Sequence, residues 1–350
     1  MRRSRPIALL LVALGVAACS GSETTTPTTT TVATLPPTTQ ATTTSSSTTT
    51  TELITTTTIP GPTFPLTGLP IPGGEQIVRA AIVAKIDNAP PARPQDGLAY
   101  ADIVIEGIVN GGITRFAAVF HSRGSDPVGP LRSGRLQDID MVGFLNRPLF
   151  VWSGGNPTVS AAINASDLIN MGPNYADGYY RSTDRKAPHN YYTSTSAIWA
   201  GAREGWGEPP QAFEFREAET APVGDPVSAI TITLENITAD WRWNPSTSLY
   251  ERTQNGQPHL DRPTGSILTT NNVVILVMKY SIDITGVPKA QSVGSGEALV
   301  FTAGRLVRGT WTRADRLDQF TLLDEQGNPI ELTPGRTWIE LPRRDNTTWS

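Results

Sequence analysis

The feature that most constrains this chain is a low-complexity segment near its start. Residues 22–63 hold 26 serines and threonines among 42 positions, together with two acidic residues and no basic one. Such a segment has few apolar side chains to bury, so it cannot offset the entropy cost of becoming ordered. We therefore expect a disordered stalk with an r.m.s. span of about 35 Å, which serves as a spacer, as an acceptor of O-linked glycans, or as both.

A signal peptide precedes this stalk. Three arginines stand among the first five residues, and the apolar run after them is about ten residues long, whereas a bilayer span needs about 20. Small residues at 16–18 lie directly before Cys19, the only cysteine of the chain. This order is the lipobox arrangement, so we predict a signal peptide at 1–18, cleavage before Cys19 and lipid on that cysteine. An ordinary signal peptide with a chance cysteine is the alternative.

Lipid on Cys19 would consume the one thiol of the chain. Disulfides, thiolate catalysis and cysteine-ligated metals are then excluded. Cleavage removes three of the 28 basic residues and none of the 32 acidic ones, which changes the formal charge from −4 to −7. A chain this acidic is a poor nucleic-acid binder. The partners we expect are the cell membrane, reached through the lipid on its extracytoplasmic side, and an envelope polymer or a membrane protein.

About 285 residues follow the stalk, enough for two modest domains. The stretch 208–225 is rich in Pro, Glu and Ala and lacks an apolar period, so it is the best candidate for a boundary. We predict a mixed domain, α+β or α/β, at 64–220, followed by a small all-β domain, a sandwich or open barrel, at 225–345.

Apolar runs and turn residues locate the elements of both domains. In the first domain, two β-rich runs flank the hairpin signal Asn110-Gly111-Gly112, and Asn156 stands before Pro157 as the N-cap of a helix. Further strands are predicted at 79–87 and 148–152, and a helix at 133–145. In the second domain, strands are predicted at 229–235, 241–244, 249–253, 271–280, 297–302, 305–310, 320–323, 329–332 and 338–341.

A series of motifs in this order is similar to a known family. The first part contains FPLTGLPI, AIVAKIDNAPPARPQDGL, ADIVIEGIVNGGITRFAAVF, GPLRSGR, SGGNP and KAPHNYYT; the second contains VVILVMKY, GSGEALVFTAGRLVRGTW and LTPGRTWIEL. Together they resemble the YerB-like lipoprotein family, a domain of unknown function, over nearly all of residues 64–342. The resemblance implies an N-terminal α/β domain and a β-rich C-terminal domain, and it implies no activity.

Two arginines in GPLRSGR are candidates for holding an anion. Arg132 and Arg135 are three residues apart and share one face if a helix begins beside them. Guanidinium forks bind phosphate or carboxylate bidentately, and a helix N-terminus adds N–H donors. The alternative is that these arginines pair with Glu106, Asp138 or Asp140 and only stabilise the fold.

Candidate catalytic groups stand at two strand ends and in one loop. Asp87 closes the first predicted strand, where functional residues of α/β sheets lie, although turn chemistry also explains it. Ser153 precedes a Gly-Gly turn that exposes backbone N–H groups; the pattern is not G-x-S-x-G, and a plain tight turn is the alternative. His189 is a candidate general base or a structural loop residue. Three isolated histidines predict no zinc site, and no cofactor is expected.

These candidates support two functions. One is a binding module for an anionic envelope ligand or a protein partner; the other is a hydrolase or transferase that acts on a phosphorylated envelope lipid or glycan. The enzyme requires that the candidates converge on one cleft. The enzyme function is excluded if Arg132 and Arg135 form ion pairs with Asp138 and Glu106 and if His189 lies far from them. The catalytic candidates are Asp87, Ser153 and His189, and the ligand-binding candidates are Arg93, Glu106, Arg115, Arg132, Arg135, Asn156, Arg181 and Asn190.

Overall fold

The computed structural model describes residues 61–217 and 219–350. The predictions for the signal peptide, for Cys19 and for the stalk up to residue 60 lie outside these residues. The described residues belong to one compact unit that consists mostly of strands with a few short helices. None of the helices in this described part is both long enough and apolar enough to cross a membrane.

The described chain has a first segment, residues 61–217, and a second segment, residues 219–350. The helices are α1 (Leu136–Met141), α2 (Pro157–Ala165) and α3 (Thr195–Ala200), with 3-10 turns at Pro72–Gly74, Pro90–Ala92, Leu98–Tyr100 and Gly143–Leu145. The strands of the first segment are β1 (Ile82–Asp87), β2 (Ile103–Ile108), β3 (Thr114–Phe120), β4 (Leu149–Val151), β5 (Ile169–Asn170), β6 (Tyr180–Arg181) and β7 (Tyr191–Tyr192). Those of the second are β8 (Asp225–Pro226), β9 (Ala229–Leu234), β10 (Ile237–Asn244), β11 (Leu249–Gln254), β12 (Gln257–Pro258), β13 (Thr269–Thr270), β14 (Asn272–Leu276), β15 (Tyr280–Ile282), β16 (Pro288–Ala290), β17 (Gly294–Thr302), β18 (Arg305–Arg313), β19 (Thr321–Asp324), β20 (Thr337–Glu340) and β21 (Thr347–Trp349).

One large sheet runs through both segments. Its strand order is β19-β18-β17-β14-β20-β2-β3-β1-β4-β5, and β8 pairs with β18. The junction is the parallel pairing of β2 with β20, in which Ile105 lies opposite Ile339. We expected the second segment to form a small sandwich or barrel beside the first. Instead, six of its strands extend the sheet of the first segment, because β20 pairs with β2, the outermost strand that the first segment contributes on this side.

The remaining strands of the second segment form a second layer. Strands β12-β11-β10-β9-β21 make a separate sheet, with β13 paired to β11. Inward side chains such as Ile232 and Trp241 share one apolar cluster with Ile86, Phe116 and Trp338 of the large sheet. Strand β9 alternates buried and exposed residues, as a half-solvated antiparallel sheet does.

The opposite face of the large sheet is covered by helices and loops. Met141 of α1 and Val159 of α2 pack in one cluster with Val83, Ile105 and Val274 from the sheet. Because both faces are covered, every residue of β1, β2, β3 and β14 is buried. This explains why these strands are largely apolar in the sequence, and the charged residues Lys85, Asp87, Glu106 and Arg115 within them are buried as well.

Several local predictions are confirmed. Strands β2 and β3 form the predicted antiparallel hairpin. Helix α2 begins at Pro157, and the Asn156 side chain accepts a hydrogen bond from Val159 N at 2.9 Å.

Two other local predictions differ from the structure. The helix predicted at 133–145 is shorter, because Val142 leaves the helical conformation. The predicted strand at 329–332 is wrong, since this stretch makes only isolated bridges.

The shared sheet predicts that both segments unfold together. We expect Ile339→Ala to lower the free energy of unfolding by about 2–5 kcal/mol, because it leaves a cavity beside the β2–β20 junction. Urea unfolding followed by far-UV circular dichroism and tryptophan fluorescence should give one coincident transition. The control Ile284→Ala, at a side chain that is 86% exposed, should change stability by less than about 0.5 kcal/mol. Two separate transitions would contradict this expectation.

Candidate functional site

The candidate site lies at one edge of the large sheet. Strands β1 and β4 are parallel neighbours, so Asp87 at the end of β1 and Ser153 just after β4 come to the same edge. Strand β3 runs antiparallel to β1 and places Arg115 opposite Asp87. The carboxyl ends of parallel strands are where open α/β sheets bind ligands.

The GPLRSGR loop fills the space between these two strand ends. Arg132 N donates a hydrogen bond to Lys85 O at 2.8 Å, and Ser153 N donates to Arg132 O at 3.1 Å. Gly134 N then donates to Gly154 O at 3.2 Å. The loop therefore continues the sheet between β1 and the Gly-Gly turn, and it carries Arg132 and Arg135 to the Asp87 edge.

Asp87 is the central acceptor of this edge. Its side chain is fully buried, and its Oδ1 accepts from Ala89 N at 3.1 Å. Its Oδ2 lies 2.8 Å from His189 Nδ1 and 3.0 Å from Arg132 Nε, the latter in a geometry that makes an ion pair without a hydrogen bond. Because a carboxylate oxygen only accepts, Nδ1 of His189 carries the proton and Nε2 faces away from Asp87.

Two further guanidinium groups, those of Arg115 and Arg135, lie close to Arg132. Arg115 is only 5% exposed and donates from Nη1 to Ser133 O at 2.7 Å, and Arg135 donates from Nη2 to Asn110 Oδ1 at 2.9 Å. The buried Nε atoms of Arg115, Arg132 and Arg135 have no hydrogen-bond partner among the described residues. Burial, reinforced by the charge of Arg135, lowers the pKa of Arg115 to about 9, so this group is still charged at neutral pH.

A buried ion pair lies close to these arginines. Lys85 Nζ lies 2.7 Å from Asp138 Oδ1, and both side chains are fully buried. Asp138 Oδ2 also accepts from Arg135 N at 2.7 Å, which fixes the start of α1. Burial lowers the pKa of Lys85, and Asp138 opposes this shift. We call Asp87, Arg115, Arg132, Arg135 and His189 the arginine site; with Lys85 and Asp138 it carries more cationic groups than carboxylates.

The other predicted site residues lie elsewhere. Asn156 uses its side-chain oxygen to cap α2, and Arg181 donates from Nη1 to Asn190 Oδ1 at 2.8 Å within the β6–β7 hairpin. Glu106 does not meet the arginine site, because it accepts from Thr114 Oγ1 at 2.5 Å and from Arg252. Arg93 lies near Glu106 and Arg252. No group of metal-ligating side chains is found within residues 61–217 and 219–350.

Sequence reasoning missed a fully buried polar network around Arg252. This arginine binds Glu106, Gln254 and His259, and Glu340 lies opposite Glu106 on β20. Burial and the neighbouring Glu106 raise the pKa of Glu340 well above its usual range. The signal for this network was the alternation of β11, which turns Arg252 and Gln254 inward with Tyr250. A charged residue at an inward strand position predicts a buried partner.

Comparisons with known proteins agree with this architecture. The chain matches "Protein of unknown function (DUF3048) N-terminal domain" over residues 66–207 and the corresponding C-terminal domain over residues 230–339. It is 28% identical over 288 residues to the Bacillus subtilis protein named "Putative lipoprotein YerB", covering 79% of this chain and 85% of that protein. A crystal structure of the YerB protein from Bacillus subtilis is similar with a TM-score of 0.73 and 27% identity, over 82% of this chain and 99% of that one.

The buried ion pair under the arginine site gives a stability prediction. Asp138→Asn should lower the free energy of unfolding by about 3–5 kcal/mol, because it leaves the Lys85 charge buried and unpaired. The double variant Lys85→Met/Asp138→Leu should recover most of that loss. Asp140→Asn is the matched control, since its ion pair with Lys289 is partly exposed and should contribute less than about 1 kcal/mol. Equal losses for the two asparagine variants in urea unfolding would refute the argument.

Proposed function

Since this chain belongs to the DUF3048 family, whose function is unknown, we propose from its own site that it binds a phosphorylated ligand of the cell envelope. The ligand would sit on the arginine site, at the edge where β1 and β4 end. Phosphate is the anion that several converging guanidinium groups accommodate best, because each fork donates to two of its oxygens.

The observation that carries this proposal is the unused donor capacity of the arginines. Arg115 and Arg135 each keep a buried Nε without a hydrogen-bond partner in the described chain, and the Nε of Arg132 makes only an ion pair with Asp87. A buried donor without an acceptor costs about 1–3 kcal/mol, and the cost is larger for a charged group. An anion at the partly exposed Arg132 and Arg135 side chains would offset the mutual repulsion of the three charges, and the buried Nε atoms could donate to it only if these side chains moved.

The proposed location follows from the N-terminal sequence. Lipid on Cys19 would hold the protein on the extracytoplasmic face of the cell membrane, and the Thr/Ser/Pro stalk would lift the binding domain from it. The name of the Bacillus subtilis relative, which contains the word lipoprotein, supports this anchoring. Phosphorylated lipids, phosphorylated glycans and envelope proteins are then the partners within reach.

Titration with inorganic phosphate tests the site. Calorimetry on the purified full chain, at constant ionic strength, should show binding that Arg132→Gln weakens by about tenfold or more, because a charge-assisted hydrogen bond is lost. Phosphate should also raise the thermal unfolding midpoint of the unaltered protein. Arg242→Gln, on the exposed face of β10, is the matched control and should bind phosphate normally. If both variants bind phosphate equally, the arginine site is not where it binds.

A second candidate function, a phosphoester hydrolase or transferase, is favoured by the Asp87–His189 contact of 2.8 Å. Arg132 pairs with Asp87 and Glu106 pairs with Arg252, so the described residues do not form the Arg132–Glu106 pair that would count against an enzyme. Nε2 of His189 would take a proton from water or from the Ser153 hydroxyl as that oxygen attacks phosphorus. The ester oxygen would leave with the electrons of the broken P–O bond and receive the proton from His189.

Replacement of His189 separates binding from catalysis. With p-nitrophenyl phosphate as substrate, His189→Asn should lower kcat by about 100-fold or more while phosphate affinity stays within a factor of a few. Arg132→Gln should weaken binding as well. The absence of turnover by the unaltered protein, on this substrate and on phosphorylated lipids and glycans, would leave the binding function alone.

A further inference from the structure

A cavity lies outside the arginine site, between the Pro-rich loop after β1 and the β11–β12 hairpin. Its volume is about 330 Å³, which is within the range of small-molecule sites. We call it the proline cavity. Its walls include Arg93, Pro94, Gln254, Pro258, His259 and Leu260.

Arg93 brings an uncompensated charge to this cavity. Its Nε is buried and has no hydrogen-bond partner within residues 61–217 and 219–350. Burial lowers its pKa, and the charge of Arg252 lowers it further, whereas Glu106 acts in the opposite direction. Glu106, however, already accepts from Arg252 and Thr114, so it does not serve as the partner of Arg93.

Two other polar side chains of the wall, His259 and Gln254, are bonded to the buried network behind it. His259 Nδ1 accepts from Arg252 at 3.0 Å, and His259 Nε2 donates to Gln95 Oε1 at 2.8 Å. Gln254 Oε1 accepts from Arg252 at 3.0 Å and from Asn88 at 3.1 Å. These bonds hold the wall rigid and use the side-chain acceptors of His259 and Gln254, so Gln257 is the remaining polar side chain of the wall besides Arg93. A ligand in the cavity would supply the acceptor that Arg93 Nε lacks among the described residues.

The rest of the wall determines what kind of ligand fits. Pro94, Pro258 and Leu260 present carbon surface, and proline has no N–H to donate. A ligand must then combine one anionic group with an apolar body. A single guanidinium matches one carboxylate, both in charge and in the geometry of its fork. A phosphate dianion needs more positive charge, which the arginine site offers and this cavity does not.

We propose that the proline cavity binds the carboxylate of a small apolar ligand, in the manner of a peptide C-terminus, with Arg93 as the group that holds the carboxylate. This site is separate from the arginine site and does not depend on the function proposed for it. The two sites would allow one protein to bind a phosphorylated and a carboxylated component of the envelope.

Binding of a blocked dipeptide tests the proposal. N-acetyl-alanyl-alanine, with a free carboxylate, is titrated into the purified full chain and compared with its C-terminal amide. Calorimetry measures affinity, and the ¹H–¹⁵N signals of the arginine Nε–H groups report which guanidinium is contacted. The acid should bind and shift the Arg93 signal, and the amide should bind at least about tenfold more weakly, because it has no charge for the guanidinium.

Variants locate the binding. Arg93→Gln should weaken binding of the acid by about tenfold or more, while inorganic phosphate still binds the arginine site with unchanged affinity. Arg93→Lys keeps the charge but loses the fork, so its affinity for the acid should lie between that of Arg93→Gln and that of the unaltered protein. Arg242→Gln should bind the acid as the unaltered protein does. Equal binding of acid and amide, a Nε–H shift at another arginine, or no binding at all would overturn the proposal. The Nε–H measurement on the unaltered protein decides the matter even if Arg93→Gln fails to fold.

Discussion

The parallel pairing of β2 with β20 is the contact on which the rest of this structure depends. It places Ile105 beside Ile339, residues that are far apart in the sequence, at the centre of the large sheet. Through β20, strand β14 and its neighbours join the same sheet, and the second sheet is brought over one face. The pairing also sets Glu106 against Glu340, so the buried polar network exists only because the two segments share a sheet.

Two polar clusters result, and they differ in how their charges are balanced. Around Arg252, two glutamates, an amide and a histidine close on the guanidinium in the interior. At the sheet edge, Asp87 and Asp138 face a larger number of cations, and His189 and Arg132 reach solvent with 19% and 26% of their side chains exposed. A closed and balanced cluster stabilises a fold, whereas an open and positively charged one is suited to an anion.

Whether the sequence predicts a contact depends on how far apart the two residues lie along the chain. The β2–β3 hairpin and the Asn156 cap could be predicted, because each is set by nearby turn or capping residues. The partner of Glu106 could not, since Arg252 is 146 residues away and nothing local indicates it. The shared sheet was missed for the same reason. The prediction of two domains with a boundary at 208–225 stays a prediction, as do the lipid on Cys19 and the stalk.

Gln95 has a consequence that extends beyond its own hydrogen bonds. Its Nε2 donates to Asp87 O at 2.9 Å, and its Oε1 accepts from His259 at 2.8 Å, so one fully buried amide touches both the β1 end and the wall of the proline cavity. The side-chain amide of Gln95 cannot flip without losing both hydrogen bonds, because its donor and its acceptor would exchange places. Binding energies at two sites are linked reciprocally. If a carboxylate bound in the proline cavity changes the phosphate affinity of the arginine site by some factor, bound phosphate changes the carboxylate affinity of the cavity by the same factor.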